Sequence, residues 1–353
     1  MASCDVEPYI REAVESVTKQ SFGDWECICG IEDSKDHTEE ILQEIAAADP
    51  RIRLFTHPRS GSCSATRNVG TDMAQGEYVI FLDGDDSIAD GSLARIHDKI
   101  AARPGADLYP CEIVAYRDGT DEREIRENYP PDSFPEEMTG PEATTLLNRL
   151  WNGHFCPMLQ MTVFRREYLV ERDLKCIYGL RRQDSEFSPR ALYYAKRVVP
   201  LHEPFYLYRI RENSISTEGM SKTGFFHKDW AIILRSLMAF YAGVSKEPGF
   251  DHGISKCWAR QCEERIVYFW FSPDNLRAIP REKRMETLSV LFENGTGDFE
   301  LLSRDVSFPT WLAMLWIRVF VKHPACRGTI EFLFKLYFAL FGTARTLKGR
   351  RAS

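Results

Sequence analysis

The chain has 353 residues, of which 44% are hydrophobic and 27% are charged, and its formal net charge is −7. This length is enough for one large domain, or for one domain with a substantial appendage, and the composition is that of an ordinary globular protein. Because the bulk charge is negative, it argues against a typical nucleic-acid-binding protein, and we expect no nucleic acid partner.

The cysteines and the apolar segments argue against two further classes. The ten cysteines include no Cys-x-x-Cys pair, and no secretory leader precedes the first predicted helix. We therefore expect reduced thiols and a cytoplasmic protein. The apolar run at residues 311–317 ends at Arg318, well short of the roughly 18 residues that a membrane-spanning helix needs.

Helix and strand patterns alternate over the first third of the chain. The spacing of apolar residues predicts helices at residues 7–19, 36–48, 64–73 and 92–102, and strands at residues 25–31, 52–56, 78–82 and 107–116. This alternation is typical of an α/β fold in which helices cover both faces of a mixed, mostly parallel sheet. In such sheets ligands bind at the carboxyl ends of the strands.

After a mixed region at about residues 118–208, the sequence becomes helical. Apolar spacing predicts helices at residues 229–241, 254–271, 282–292, 309–321 and 330–341. From residue 311 onward, eight Lys or Arg residues accompany a single acid, Glu331, and aromatic residues are interleaved with them. Basic amphipathic helices of this kind lie on anionic membrane surfaces, so we expect peripheral contact of residues 307–353 with the membrane, chiefly through 311–353. Ordinary packing of these helices within the protein is the alternative.

Three aspartates follow the predicted strand at residues 78–82. Asp83 and Asp85 are two positions apart, so they point the same way in an extended segment, and Gly84 between them permits close approach of a ligand. Carboxylates held this close repel each other unless a cation lies between them. A hard divalent ion, Mg²⁺ or Mn²⁺, fits two aspartate ligands that share it with a phosphate group. A solvated acidic turn is the alternative.

Two enzyme classes use such a pattern, namely phosphatases of the haloacid dehalogenase type and transferases of sugars from nucleotide diphosphates. Several blocks of the sequence distinguish between the two classes. In their residues and their order, these blocks resemble the family 2 glycosyltransferases of the GT-A (Rossmann-like) fold. The blocks are DVEPYIREAVESVTKQSFGDWE (5–26), EDSKDHTEEIL (32–42), GSCSATRNVGTDMAQGEYVIFLDGDDS (61–87), RQDSEF (182–187) and YLYRIRENSIS (206–216). The resemblance implies a GT-A domain at residues 1–216, followed by a helical region at residues 217–353.

The resemblance also implies a reaction and assigns roles in it. A family member would move a sugar, with inversion, from a nucleotide diphosphate sugar to a hydroxyl of a cell-surface glycan or lipid-linked acceptor. Asp184 would be the general base, Asp85 would ligate the metal, and Asp83 would assist it or contact the ribose. A helix N-cap is the alternative role for Asp184. Asp86 would support the site from behind the metal ligands.

Arginines in the matching blocks are implied to bind the donor. Arg67 corresponds to a family arginine near the nucleotide, and a salt bridge on a helix surface is its alternative role. Arg209 and Arg211 are implied to meet the charge of the diphosphate, and solvation of a strand end competes equally as an explanation of both.

Several positions depart from the family pattern. Glu32 stands where the family has an acid that contacts the base or ribose, and Gln183 replaces the family's glutamate beside the general base. Cys4 replaces a tyrosine that stacks on uracil, whereas Asp5 remains a candidate for the nucleotide. A non-catalytic relative that binds or scaffolds is therefore the alternative from another class.

The first apolar strand of the family pattern is also mostly missing before Cys4. Since an α/β sheet without that strand would pack poorly, we expect Met1 to be an internal methionine of a protein that begins upstream.

Overall fold

A computed structural model gives the fold of the protein. The structure describes residues 1–120, 122–126, 129, 132–150, 158–211, 225–248, 250, 251, 253, 254, 258, 262, 265–267, 270–292 and 308–339. The chain divides into two compact units, Met1–Glu218 and Gly219–Ser353.

The amino-terminal unit alternates strands with helices. Its strands are β1 (Ala2–Ser3), β2 (Cys27–Glu32), β3 (Ile52–His57), β4 (Tyr78–Val79), β5 (Ser87–Ile88), β6 (Leu108–Pro110), β7 (Glu112–Arg117), β8 (Arg123–Arg126), β9 (Thr162–Arg165) and β10 (Pro204–Ile210). Its helices are α1 (Glu7–Thr18), α2 (Thr38–Ala48), α3 (Ser64–Met73), α4 (Ser92–Ala102), α5 (Gly140–Leu150), α6 (Arg166–Glu171) and α7 (Asp184–Tyr194). The α/β alternation is as predicted.

The strands form a mixed set of ladders. β1, β2 and β3 pair in parallel, and β10 pairs in parallel with β7. β5 lies antiparallel to β10, β8 antiparallel to β7, and β9 antiparallel to both β4 and β6. A bridge from Ala2 to Asp83 continues the parallel arrangement from β1 to the segment that follows β4. This bridge brings the acidic segment next to the end of β1.

Helix bounds follow the sequence pattern closely in this unit. Helices α3 and α4 have the bounds predicted from apolar spacing, and α1 buries Ile10, Val14 and Val17 as its periodicity predicts. Asp36 was expected to open the second helix, but α2 begins at Thr38. The Asp36 carboxylate accepts from the Thr38 backbone N–H at 3.1 Å and from the Glu7 N–H at 2.9 Å. Asp36 thus ties the starts of α1 and α2 together.

The segment predicted as one strand at residues 107–116 is divided between two ladders. β6 pairs with β9, whereas β7 pairs with β10. At the junction the backbone N–H of Cys111 donates to the carbonyl of Met161 at 2.6 Å, and the N–H of Glu112 donates to that of Glu203 at 3.0 Å. The chain therefore changes partners at residue 111, which local sequence patterns do not reveal.

The carboxyl-terminal unit is helical in its described part. Its helices are α8 (Phe225–Val244), α9 (Pro273–Ala278), α10 (Arg281–Leu291), α11 (Phe308–Lys322) and α12 (Arg327–Tyr337). Arg284 of α10 is buried and forms an ion pair with Glu331 of α12, which also pairs with Arg281. The predicted helix at 254–271 lies largely outside the described residues, as do residues 340–353. In the part of the chain that the structure describes, no helix is long and apolar enough to cross a membrane.

Candidate active site

The predicted site residues follow strand ends and lie in two groups. We call Arg67, Asp83, Asp85 and Arg211 the acidic-loop cluster, because they surround the loop after β4. We call Asp5, Glu32, Arg59 and Ser60 the β1–β2 cluster, because they follow the carboxyl ends of β1, β2 and β3. Both groups occupy the edge of the sheet where ligands of α/β folds bind.

In the acidic-loop cluster, Asp83 is held between two donors. Arg67, buried on the first turn of α3, donates from Nη2 to Asp83 Oδ1 at 2.6 Å. Gln160 donates from Nε2 to Asp83 Oδ2 at 2.6 Å. Both carboxylate oxygens of Asp83 are therefore engaged by the protein, and the guanidinium of Arg67 faces the site instead of forming a salt bridge on the helix surface.

Asp85 faces a different arginine. Its Oδ2 accepts from Nε of Arg211 at 2.9 Å and forms an ion pair with Nη2 of the same arginine at 2.9 Å. Burial raises the pKa of Asp85, and the nearby Asp83 carboxylate raises it further, against the opposing effect of Arg211. Asp85 is therefore a carboxylate whose ionised form benefits from additional positive charge.

Asp86 points inward and supports the loop. Its Oδ2 accepts from the hydroxyl of Tyr206 at 2.6 Å, and its Oδ1 accepts from the backbone N–H of Arg209 at 2.7 Å. The same tyrosine hydroxyl accepts from the backbone N–H of Asp83 at 3.2 Å. Asp86 and Tyr206 thus connect β10 to the loop, as expected for an acid that stands behind the predicted metal ligands.

Arg209 is fixed by contacts inside the protein. Its Nε donates to the carbonyl of Asp85 at 3.0 Å, its Nη1 to Asp118 at 2.7 Å and its Nη2 to Glu12 at 2.7 Å. Since its donors are already directed at protein oxygens, Arg209 holds the loop in place.

Asp184 is the first residue of α7. Its Oδ1 accepts from the backbone N–H of Ser185 at 2.9 Å, and Gln183 rather than Asp184 occupies the N-cap position. Burial raises the pKa of Asp184, while the positive charges of Arg67 and Arg182 oppose this and Asp83 adds to it. Arg67 therefore acts electrostatically on both the predicted base and Asp83.

Gln183, which replaces the family's glutamate, also faces Arg67. The hydrogen-bonding demand of the site orients its amide so that the oxygen accepts from Arg67 Nη1 and the nitrogen donates to the carbonyl of Leu180 at 3.2 Å. A neutral oxygen thus lies where a carboxylate would form a second ion pair with Arg67.

The β1–β2 cluster combines the exposed pair of Asp5 and Arg59 with the buried Glu32. Asp5 pairs with Arg59 and accepts from the backbone N–H of Lys35 at 2.7 Å. These contacts, first the Lys35 N–H and then the Arg59 guanidinium, lower the pKa of Asp5. Glu32 is buried at the end of β2, where its Oε1 accepts from the hydroxyl of Ser60 at 2.5 Å. Arg59 also donates to the sulfur of Cys4 at 2.8 Å.

Three residues that contact the predicted site residues were not predicted from the sequence. Gln160 lies in no recognisable motif, and Arg59 and Ser60 lie in the loop after β3, where nothing but proximity to a strand end marks them. Their roles depend on contacts between distant parts of the chain, such as the 77 positions that separate Asp83 from Gln160.

A divalent cation fits the Asp85 side of this arrangement better than the Asp83 side. The oxygens of Asp83 already accept two short hydrogen bonds, whereas Asp85 has a raised pKa that a cation would relieve. Among the residues that the structure describes, no group of three His, Cys, Asp or Glu side chains is placed to hold a metal. Water and phosphate oxygens would therefore complete the coordination of such an ion.

Comparison with known proteins identifies similar sequences and structures. Residues 1–172 match the model of glycosyl transferase family 2. The uncharacterized glycosyltransferase EpsJ of Bacillus subtilis is 31% identical over 215 residues, which are 60% of this chain and 60% of that protein. The GalNAc(5)-diNAcBac-PP-undecaprenol beta-1,3-glucosyltransferase of Campylobacter jejuni is 25% identical over 217 residues, which are 61% of this chain and 65% of that protein. The matches thus span less than two thirds of these relatives.

Among solved structures, residues 1–349 of TarS from S. aureus superpose with a TM-score of 0.66 and 18% identity, covering 91% of this chain and 86% of that chain. The same TarS fragment in complex with UDP-GlcNAc also gives a TM-score of 0.66, at 19% identity and the same coverage. Residues 1–172 are therefore similar to glycosyl transferase family 2, and the chain has the GT-A fold that the sequence predicted.

Proposed function

We propose that the protein is an inverting glycosyltransferase that moves a sugar from a nucleotide diphosphate sugar to a hydroxyl of a cell-surface glycan or lipid-linked acceptor. The observation that carries this proposal is the acidic-loop cluster, in which Asp85 and Arg211 stand beside the Arg67–Asp83 pair at the carboxyl ends of strands. Carboxylate and guanidinium groups in this position suit a diphosphate and its counter-ion.

Asp184, Arg211 and Arg209 have different roles in the proposed reaction. Asp184 takes the proton of the acceptor hydroxyl as its oxygen attacks the anomeric carbon, and the bond from that carbon to the diphosphate oxygen breaks. Arg211 compensates the negative charge that develops on the departing diphosphate, and Arg209 keeps the loop in place. Asp85, with Asp83 beside it, would hold Mg²⁺ or Mn²⁺, which would supply further positive charge to the diphosphate.

The nucleoside part of the donor is bound by the β1–β2 cluster. Asp5 and Glu32 are the acids nearest the ends of β1 and β2, and Arg59 and Ser60 hold them. We place the nucleoside at this cluster because the acidic-loop cluster takes the phosphates. The UDP-GlcNAc in the TarS complex supports a uridine nucleotide as the first donor to try.

The acceptor proposal draws on the relatives. The Campylobacter jejuni relative is named for an acceptor on undecaprenyl diphosphate, which supports a lipid-linked acceptor here. A site of action on the cytoplasmic side of the membrane follows from that choice, because nucleotide sugars are made in the cytoplasm.

Measurement of nucleotide release tests the proposed reaction. UDP-, GDP- and dTDP-sugars are incubated with the protein in Mn²⁺ or Mg²⁺, and free nucleotide diphosphate is followed over time. We expect release from one nucleotide class, and we expect EDTA to abolish it. If every donor remains intact while a nucleotide binds without metal, the protein is instead a non-catalytic binding protein, which Gln183 and the doubly engaged Asp83 favour.

A membrane contact through α11 and α12 is a second part of the proposal. Phe332 and Leu336 lie one turn apart on α12 and are 64% and 47% exposed, with Lys335 exposed beside them. Apolar and basic side chains on one exposed surface suit an anionic bilayer. The basic residues at 340–353 lie outside the described part.

Vesicle co-sedimentation tests this contact. Replacing Phe332 and Leu336 by Ser should reduce binding to anionic vesicles several-fold, because the apolar area that enters the bilayer is lost. Val170→Ser, which removes a 57% exposed apolar side chain elsewhere, is the matched control and should bind as the parent does. Equal binding of all three proteins would refute the contact.

A further inference from the structure

Tyr178 is an exposed aromatic residue close to the proposed base in the sequence. It lies between α6 and α7, in the segment that leads to Asp184. The residue is 70% exposed, more than any other large apolar residue that the structure describes. The surroundings of this ring determine what it is suited to bind.

The chain on both sides of Tyr178 is fixed by contacts with α3. Before it, the side chain of Asn68 and the backbone of Cys176 exchange two hydrogen bonds, each of 2.8 Å. After it, the backbone N–H of Gly179 donates to Ser64 Oγ at 2.9 Å. One helix therefore holds the backbone that carries the exposed ring.

A tight turn presents the ring to solvent. The N–H of Leu180 donates to the carbonyl of Ile177 at 3.2 Å, so Tyr178 takes the second position of the turn. Gly179 takes the third position with φ of +71°, the left-handed conformation that a type II turn requires there. Because the backbone is fixed and a tyrosine side chain has only two χ angles, a ligand that stacks on this ring orders little else.

The turn and the start of α7 are held by shared contacts. The side-chain amide of Gln183 lies 3.0 Å from the sulfur of Cys63, directly before α3. Its nitrogen also donates to the carbonyl of Leu180 at 3.2 Å. Since Gln183 directly precedes Asp184, these contacts fix the position of Tyr178 relative to the proposed base.

The proposed positions of the other substrate groups leave the acceptor for this ring. The β1–β2 cluster takes the nucleoside and the acidic-loop cluster takes the diphosphate, whereas the acceptor must bring a hydroxyl to Asp184. A sugar ring can place its C–H groups on the negative π-face of Tyr178 while its hydroxyls stay hydrated. A lipid chain suits the turn less well, because Leu180 is buried and the chain continues with Arg181 and Arg182. A single exposed ring matches a single sugar ring.

We propose that Tyr178 is the stacking platform for the acceptor and that this acceptor is a glycoside. The hydroxyl that Asp184 deprotonates then belongs to a sugar ring rather than to an open-chain polyol or a lipid alcohol. This inference rests on the proposed function, because it takes Asp184 as the base. Tyr178 determines acceptor specificity through its aromatic ring and not through its hydroxyl, so phenylalanine should replace it and alanine should not.

Binding of simple glycosides tests the platform without any donor. The methyl β-glycosides of glucose, galactose, N-acetylglucosamine and N-acetylgalactosamine are the probes, and ribitol is the open-chain control. Their affinities are measured by saturation-transfer difference NMR. We expect at least one glycoside to bind through its ring C–H protons and to lose about ten-fold in affinity in Tyr178→Ala, the scale of one lost stacking contact. Tyr178→Phe should stay within about two-fold of the parent.

Ile125→Ala is the matched control, because it removes a side chain from a residue that is 56% exposed on β8, away from the site. It should bind the glycosides as the parent does. The proposal is overturned if no glycoside binds the parent, if Tyr178→Ala binds them equally well, or if Tyr178→Phe loses as much affinity as the alanine variant. A loss of ribitol binding as large as that of the glycosides would also contradict a platform for sugar rings.

Kinetics separate this inference from the proposed reaction. With the bound glycoside as acceptor, Tyr178→Ala should raise the acceptor KM about ten-fold and leave the release of nucleotide to water unchanged. Nucleotide release with an unchanged acceptor KM would overturn the platform and retain the transfer. Glycoside binding that depends on Tyr178, without nucleotide release from any donor, would refute the transfer and retain the platform.

Discussion

The acidic-loop cluster and the β1–β2 cluster hold their charges in different ways. The Arg67 side chain is 4% exposed and its partner Asp83 is 22% exposed, whereas Asp5 and Arg59 are 40% and 34% exposed. When a buried pair loses one member, the other charge stays in an environment that solvates it poorly, but water replaces a lost partner at the surface. The first cluster should therefore control both stability and chemistry, and the second should tune affinity.

The largest effect is expected from Asp85→Asn. This change removes the charge that would hold a cation and keeps the size of the side chain, so the rate of nucleotide release should fall about 10²- to 10³-fold, as for loss of one group that stabilises developing charge. Steady-state kinetics with Mn²⁺ measures the loss.

Asp98→Asn is the matched control, because this aspartate is 82% exposed on α4 and outside both clusters. Its rate should equal that of the parent. Equal rates in the Asp85 and Asp98 variants would show that Asp85 has no role in the reaction.

Stability should depend most on Arg67. Replacing Arg67 by Met leaves Asp83 with one donor, Gln160, and should lower the free energy of unfolding by about 3 kcal/mol, the lower end of the range for a broken buried ion pair. Urea unfolding measures this quantity. Arg11→Met, which breaks an exposed pair with Glu44, should cost less than about 1 kcal/mol.

Adding Asp83→Asn to the Arg67 variant should recover part of the loss, because the uncompensated carboxylate is then removed. A double variant less stable than either single variant would contradict the assignment of the loss to an unpaired charge.

The change of the reaction rate with pH should be determined by Asp184 and its neighbour Gln183. A general base must be ionised, so the rate falls as the pH drops through the pKa of Asp184. That pKa is raised by burial, with Asp83 adding to the increase and Arg67 and Arg182 opposing it. The acidic limb of the rate profile should therefore lie above the range of an exposed aspartate.

Gln183→Glu brings a second carboxylate next to Asp184 and should move the acidic limb to higher pH. The profile of kcat/KM measures the shift, and Asp184→Asn should remove activity at every pH. If the acidic limb of the Gln183→Glu variant lies at the same pH as that of the parent, residue 183 does not influence the pKa of the base.

The smallest effect is expected in the β1–β2 cluster. Arg59→Ala breaks the exposed pair with Asp5 and should raise the KM for the donor a few-fold while changing stability by less than about 1 kcal/mol. Comparison of KM and kcat with those of Arg103→Ala, a control outside the cluster, measures the change. If Arg59→Ala lowers kcat as much as Asp85→Asn does, the two clusters do not differ in their contribution to the chemical step.

The sequence predicted those parts of the molecule that depend on local pattern. The bounds of α3 and α4 followed from apolar spacing, whereas the strand predicted at residues 78–82 is confined to Tyr78–Val79. The change of partner at Cys111 did not, because a hydrogen bond from a distant segment determines it. The same reason explains why Gln160 and Arg59 were missed, since each acquires its role from a contact across more than 50 positions.

Isothermal titration of UDP into the protein tests the central claim most directly. The account predicts binding that requires Mn²⁺ or Mg²⁺, that is lost in Asp85→Asn, and that persists at lower affinity in Arg59→Ala. Binding of UDP that is equally tight in EDTA and in the Asp85 variant would contradict a metal-assisted diphosphate site at the acidic-loop cluster.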